Sequence, residues 1–118
     1  MSVSNIPNLA GAILFQDTVS ANAAIAVKAS SAVLYEMELD NTSNAAASYT
    51  KLFNTGTVSV GSTIPDMVVM IPASTKITLV FPSGITFATA LTECTTTAGG
   101  TAGSTSPSSA VVVKLVYV

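Results

Sequence analysis

Residues Val33–Asp40 read VLYEMELD, and this stretch decides the fold class because apolar side chains recur along it at every second position. A period of two is typical of a β-strand that turns one face to a core and the other to water. The pattern predicts one face formed by Val33, Tyr35, Met37 and Leu39. It predicts the opposite face from Leu34, Glu36, Glu38 and Asp40.

Short runs with the same period fill most of the chain, and clusters of proline, glycine and asparagine separate them. Further strands are predicted within Leu9–Phe15 and at Ala23–Lys28, Ser48–Phe53, Met67–Ile71, Thr75–Phe81, Ile85–Cys94 and Ala110–Val118. Turns are predicted at 41–44, 54–56, 72–74 and 82–84. Seven or eight short strands indicate an all-β fold, an antiparallel β-sandwich for which jelly-roll connections are one option.

The length of 118 residues predicts one domain. Within it we distinguish an N-terminal segment and one long loop. Residues 1–20 form an N-terminal segment, either an edge strand or an arm that reaches a neighbouring subunit. Residues 21–118 form the sandwich, with a flexible loop of Thr, Ser and Gly at 95–109. The apolar run near the N-terminus and the closing strand supply the candidate subunit-contact residues Ile13, Leu14, Phe15 and Tyr117.

The composition disfavours catalysis and nucleic-acid binding. The chain has no His, no Arg and no Trp, and its charged fraction is 8%, whereas soluble domains carry about 25%. Its four lysines are scattered, so no basic patch is available to neutralise phosphates. Cys94 is the single cysteine, and a catalytic thiol would need a base that no histidine supplies. We therefore expect a protein that is not an enzyme, needs no cofactor or metal and binds no nucleic acid.

Glu36 and Glu38 are the strongest candidates for chemistry, because side chains two apart project from the same face of a strand. Such a pair is compatible with a solvated strand face, a Ca²⁺ site or the acid and base of a glycosidase. The solvated face is favoured, because the chain lacks the tryptophan that stacks on sugars. The stretch Gly99–Thr105 lacks the lysine of a phosphate-binding loop, so we interpret it as an ordinary loop.

Membrane insertion is not expected, because the apolar run Leu9–Phe15 is shorter than the roughly 20 residues that span a bilayer. The first residues also lack the basic segment of a secretory signal. These observations predict synthesis in a cytoplasm.

Three stretches carry a family resemblance. They are Leu34–Ala47, Ile64–Pro72 with the runs that follow it to Leu91, and the Thr/Gly-rich stretch before the closing Val-rich strand. Together they resemble small virion proteins of tailed bacteriophages. The resemblance covers residues 30–118 and consists of similar turn placement and residue composition, with no shared residue motif. It implies a β-sandwich cement or decoration protein on the capsid surface, forming trimers or dimers and bracing the major capsid protein.

The leading hypothesis is therefore a structural protein that stabilises a phage capsid through protein–protein contacts. One alternative is a tail, neck or fibre module, including a receptor- or glycan-binding domain. Two further alternatives are a hydrolase that uses Glu36 and Glu38 and a pilus-like surface domain.

Overall fold

A computed structural model describes residues 11–118, and these form two four-stranded antiparallel sheets. The strands are β1 (Ile13–Ser20), β2 (Ile25–Lys28), β3 (Ala32–Asp40), β4 (Ser48–Phe53), β5 (Met67–Ile71), β6 (Lys76–Phe87), β7 (Leu91–Thr96) and β8 (Val111–Tyr117). The all-β sandwich predicted from the period-two runs is confirmed. None of the described residues forms a helix with the length and apolar character that crossing a membrane requires.

The strand pairs are nested along the chain. β4 pairs with β5, β3 with β6, β2 with β7 and β1 with β8, as in one long hairpin that is then rolled up. The first sheet has the order β1-β8-β3-β6 and the second the order β2-β7-β4-β5. The closing strand β8 therefore lies inside the first sheet, between β1 and β3.

The core lies between the inner faces of the two sheets. Its residues are large aliphatic side chains from strands of both sheets, as the apolar half of each period-two run requires. The fully buried members include Leu34, Met37, Leu39, Leu52, Ile71, Leu91, Val111, Val113 and Leu115.

The predicted faces of β3 are correct from Glu36 onward and wrong before it. Pairing with both neighbouring strands is irregular between Leu34 and Glu36, where Tyr35 forms a bulge. A bulge inserts one residue and so reverses which side chains point inward. Leu34 is therefore buried in the core with Met37, whereas Val33 is partly exposed.

The predicted turn at 82–84 is wrong, because these residues lie inside β6. Val80 pairs with Glu36 and Ile85 pairs with Leu34, so β6 follows the same neighbour on both sides of the irregularity. Gly84 has a φ of 74°, and a Cβ there would lie 2.5 Å from the side chain of Val33. Proline is tolerated at this point because β6 is an edge strand.

The predicted strand Ile85–Cys94 is two strands in different sheets. β6 ends at Phe87 in the first sheet, and β7 begins at Leu91 in the second. Alternation alone gives no sign of this crossing, because both halves keep a period of two.

The loop predicted at 95–109 begins later than expected, because Thr95 and Thr96 are buried residues of β7. The remainder, residues 97–110, is called the β7–β8 loop below. Two of its carbonyl groups, those of Gly100 and Gly103, accept hydrogen bonds from Lys51 Nζ at 2.8 and 2.9 Å. Its flexibility stays a prediction.

Candidate interaction surface

The predicted N-terminal segment is an edge strand from residue 13 onward. β1 pairs with β8 on one side, from Ile13 opposite Tyr117 to Ser20 opposite Val111, and no described strand pairs with its other side. Residues 1–10, and with them the start of the predicted run Leu9–Phe15, lie outside the described residues. The choice between strand and arm is thus answered for residues 13–20 within one protomer.

The four predicted contact residues divide between surface and core. Ile13 and Leu14 are 51% and 60% exposed, as a contact surface requires. Phe15 is half-buried and packs against the core. Tyr117 is buried, and its hydroxyl donates a hydrogen bond to the Val27 carbonyl at 3.4 Å, so its ring is not part of the protomer surface.

Apolar side chains lie on the outer face of the first sheet, where polar ones are usual. In register across the sheet, Leu14 of β1 lies opposite Val116 of β8, Val116 opposite Glu36 of β3, and Glu36 opposite Val80 of β6. Val80 is 63% exposed. We call Leu14, Val80 and Val116 the outer patch; exposed apolar side chains grouped in this way commonly mark an interaction site.

The sequence-based site prediction did not include Val80 and Val116. A signal for Val80 was present, because alternation in Thr75–Phe81 places it on the same face as Lys76 and Thr78, which are polar.

Charged groups lie beside the outer patch. Glu38 Oε1 is 3.7 Å from Lys114 Nζ and 3.8 Å from Lys76 Nζ. A shallow groove of about 90 Å³ is lined by Glu36 and Glu38 together with Leu14, Lys114 and Val116. Within residues 11–118, no group of three or more His, Cys, Asp or Glu side chains is placed to hold a metal ion.

The outer face of the second sheet is covered by the protein itself. The β7–β8 loop lies over it, and a Cβ at Gly99 would be 2.8 Å from the ring of Tyr49. Lys51 is 1% exposed and Cys94 is fully buried. Burial raises the pKa of the Cys94 thiol to about 11, so the thiol is protonated and unreactive at neutral pH. Exposed apolar side chains remain at the β5 edge, at Val68 and Met70.

A second groove, of about 330 Å³, lies between residues 43–48 and the end of the β7–β8 loop. Two of its polar side chains are engaged within the protein. The Asn44 amide donates to Asn41 Oδ1 and to the Ser109 carbonyl, both at 2.8 Å, and the Ser48 hydroxyl donates to Asn41 Oδ1 at 2.8 Å. Ser43, Thr97 and Ser108 also line the groove.

A fully buried acidic side chain lies between the sheets. Glu93 of β7 is fully buried, and the Ser20 hydroxyl donates to its Oε2 at 2.7 Å. Burial, together with the neighbouring Asp17 carboxyl group, raises the pKa of Glu93 to about 9. Its carboxyl group is therefore protonated at neutral pH. The sequence analysis missed this residue, although period two from Leu91 indicated that it points inward.

No protein-family model matches this chain, and comparison with curated proteins and with solved structures yields no match. The functional argument therefore depends on the surfaces described above. They offer an open sheet face with three apolar side chains beside an ion-paired carboxylate, and a second face that a loop covers except at the β5 edge.

Proposed function

We propose that the protein is a non-enzymatic structural component of a bacteriophage virion. In this role it is a cement or decoration protein that binds the major capsid protein and further copies of itself on the capsid surface. The observation that carries the proposal is the outer patch, because it leaves apolar side chains on three of the four strands of the first sheet, with Glu36 between Val116 and Val80. The phage assignment also draws on the sequence resemblance over residues 30–118.

The strand order supports the proposal at the level of architecture. Nested pairing of eight strands, rolled into two sheets, is the arrangement we assign as a jelly roll. Viral capsid proteins and lectins use jelly rolls. A fold alone does not define a function, so the outer patch remains the main argument.

The mechanism we propose is attachment through many weak contacts. Burying one large apolar side chain contributes about 1.5–3 kcal/mol, and association costs at least about 4 kcal/mol in lost freedom of motion. One outer patch therefore gives weak binding on its own. Copies joined around a symmetry axis bind several sites at once, and multivalency converts weak contacts into stable attachment. A charged fraction of 8% keeps the repulsion between neighbouring copies small.

The alternative is a tail, neck or fibre module with a receptor- or glycan-binding role. Its structural basis is the groove of about 330 Å³, whose lining is rich in serine and alanine. The groove contains no aromatic side chain on which a sugar ring would stack, and the amide groups of Asn44 are engaged within the protein. These observations favour the capsid role.

Heating of virus particles tests the capsid role. Particles that contain the protein should retain their genome to a higher temperature than particles from which it is deleted. Added back to deleted particles, the wild-type protein should restore retention. The Val80→Lys variant should not restore it, because a charge on the outer patch opposes burial, whereas Met70→Lys on the other sheet should.

Immunogold labelling of the same particles separates the two roles. Label over the capsid shell is expected. Label confined to the tail, or equal genome retention with and without the protein, would overturn the capsid proposal.

A further inference from the structure

Two acidic side chains meet between the sheets with oxygens that receive no hydrogen bond. Asp17 of β1 is 8% exposed and Glu93 of β7 is 0% exposed. Glu93 Oε2 accepts the hydroxyl hydrogen of Ser20, but Glu93 Oε1 and Asp17 Oδ2 are buried and have no donor. The two carboxyl groups lie within hydrogen-bonding reach of each other. Two buried acceptors in contact need something positive between them.

A proton satisfies this arrangement better than a metal ion. Ca²⁺ takes six to eight oxygen ligands and Mg²⁺ takes six, in proteins generally. Only two carboxylate oxygens are free here, and the nearby hydroxyls of Ser20, Thr50 and Thr95 are hydrogen-bonded to one another or to Glu93. One proton shared by two oxygens leaves neither atom unpaired.

We propose that Asp17 and Glu93 form a proton-binding site that holds edge strand β1 against the second sheet, so that loss of the proton loosens β1. The inference does not depend on the assembly role proposed above. It concerns the strand that carries Leu14, and therefore part of the outer patch.

The position of the pair makes its effect specific to β1. β1 pairs along one edge with β8, and its far end is joined to the second sheet by Ser20 and by the Ala21 carbonyl, which accepts from the Thr95 amide at 2.8 Å. Without the proton, two carboxylates would face each other in a medium of low dielectric constant, where repulsion is strong. Opening of β1 relieves that repulsion because it exposes both groups to water.

The other charged or titratable groups near Glu93 face elsewhere. Ile25 and Leu52, its partners in register, are apolar. Lys51 and Cys94 are the chain neighbours of Leu52 and Glu93, so their side chains project to the opposite side of the second sheet. There Lys51 donates a hydrogen bond to the β7–β8 loop. On β2, Lys28 pairs with Leu91 and not with Glu93. Asp17 is thus the ionisable neighbour that acts on Glu93 among the described residues.

Hydrogen exchange of backbone amides tests the proposal. In the closed state the pair holds one proton, which Glu93 releases when β1 opens and exposes it to water. The equilibrium constant for opening should therefore rise about tenfold per pH unit between pH 6 and pH 8. Protection factors of the β1 amides, taken relative to an unstructured chain, should fall by that factor and stay below those of β4, which shows that β1 opens without global unfolding. The Glu93→Gln variant retains a donor toward Asp17 but cannot titrate, so its β1 protection should not change with pH.

Infrared spectroscopy supplies a second readout that does not depend on opening. The wild-type protein at neutral pH should show the carbonyl band of a protonated carboxylic acid, and Glu93→Gln should lack it. If Glu93→Gln does not fold, Asp17→Asn takes its place, and its β1 protection should depend less steeply on pH, because burial still acts on Glu93 but the second carboxyl group is gone.

Three results would overturn the proposal. They are the absence of the acid band, the same pH dependence of β1 in wild type and variant, and stabilisation of the wild type by added Ca²⁺ or Mg²⁺ that the variant does not share.

Discussion

The outer faces of the two sheets differ in what covers them. In β7 of the second sheet all six positions are buried, on both faces, whereas in β8 of the first sheet buried and half-buried positions alternate. Both strands are central in their sheets, so position does not explain the difference. The β7–β8 loop covers the second sheet, and no described segment covers the first.

The comparison teaches how a chain with little charge divides its surface. On the closed face, Lys51 has no acidic partner among residues 11–118, and its ammonium group donates hydrogen bonds to the carbonyl groups of Gly100 and Gly103. On the open face, Lys114 and Lys76 are ion-paired with Glu38 beside the outer patch. The closed face serves stability, and the open face is left available for a partner.

The largest expected effect comes from comparing a lysine on each face. Lys51→Ala should lower the free energy of unfolding by about 3 kcal/mol, because it removes two charge-assisted hydrogen bonds and the packing of a buried stem. Lys114→Ala should cost less than about 1 kcal/mol, since exposed ion pairs contribute little. Urea denaturation of both variants measures the difference. Equal losses would show that the loop does not close the second sheet.

Per unit of pH, a smaller change in the free energy of unfolding is expected from the Asp17–Glu93 pair. This pair joins the open sheet to the closed one. The pKa of Glu93 is raised to about 9 in the folded protein, from 4.5. Stability is then greatest below the unfolded pKa and is lost as pH rises toward the folded value. We expect a fall of about 1.4 kcal/mol per pH unit across neutral pH.

Denaturation of the wild type and of Glu93→Gln, side by side at several pH values, measures this slope. The variant should lack the part that belongs to Glu93. Identical slopes would mean that the buried carboxyl group does not retain its proton.

The smallest effect on stability should come from the outer patch itself. Val80→Thr and Leu14→Thr should each change the free energy of unfolding by no more than about 0.5 kcal/mol, because these side chains are already exposed. Self-association in sedimentation experiments should nevertheless weaken. A large loss of stability in the monomer would instead make the outer patch part of the fold.

The sequence predicts the strands well because side chains along a strand alternate between the core and the surface, which gives the apolar residues a period of two. β4 and β5 have the predicted bounds, and the closing strand differs by one residue at each end. The errors fall where backbone geometry changes without a change in that pattern. A bulge at Tyr35 and a strand that continues through Pro82–Gly84 both depend on neighbouring strands, which a period within one strand does not report.

The candidate site is predictable only in part for a related reason. Leu14 was predicted from an apolar run, and the period of two from Leu91 directs Glu93 inward, but neither pattern shows which strand lies beside these residues. Tyr117 is predicted as a contact residue because it lies in the closing strand, yet the sheet places it opposite Leu34 in the core. Meetings between distant residues such as Asp17 and Glu93 depend on the order of strands in the fold.

The central claim is that the open face of the first sheet binds other proteins and the closed face does not. Thiol labelling tests it directly, since Cys94 is buried and leaves the background silent. Val80→Cys and Met70→Cys place single exposed thiols on the two sheets, where the native side chains are 63% and 50% exposed. On incorporation into an assembly, labelling at position 80 should slow at least about tenfold while labelling at position 70 is unchanged. Protection at position 70 with free access at position 80 would contradict the account.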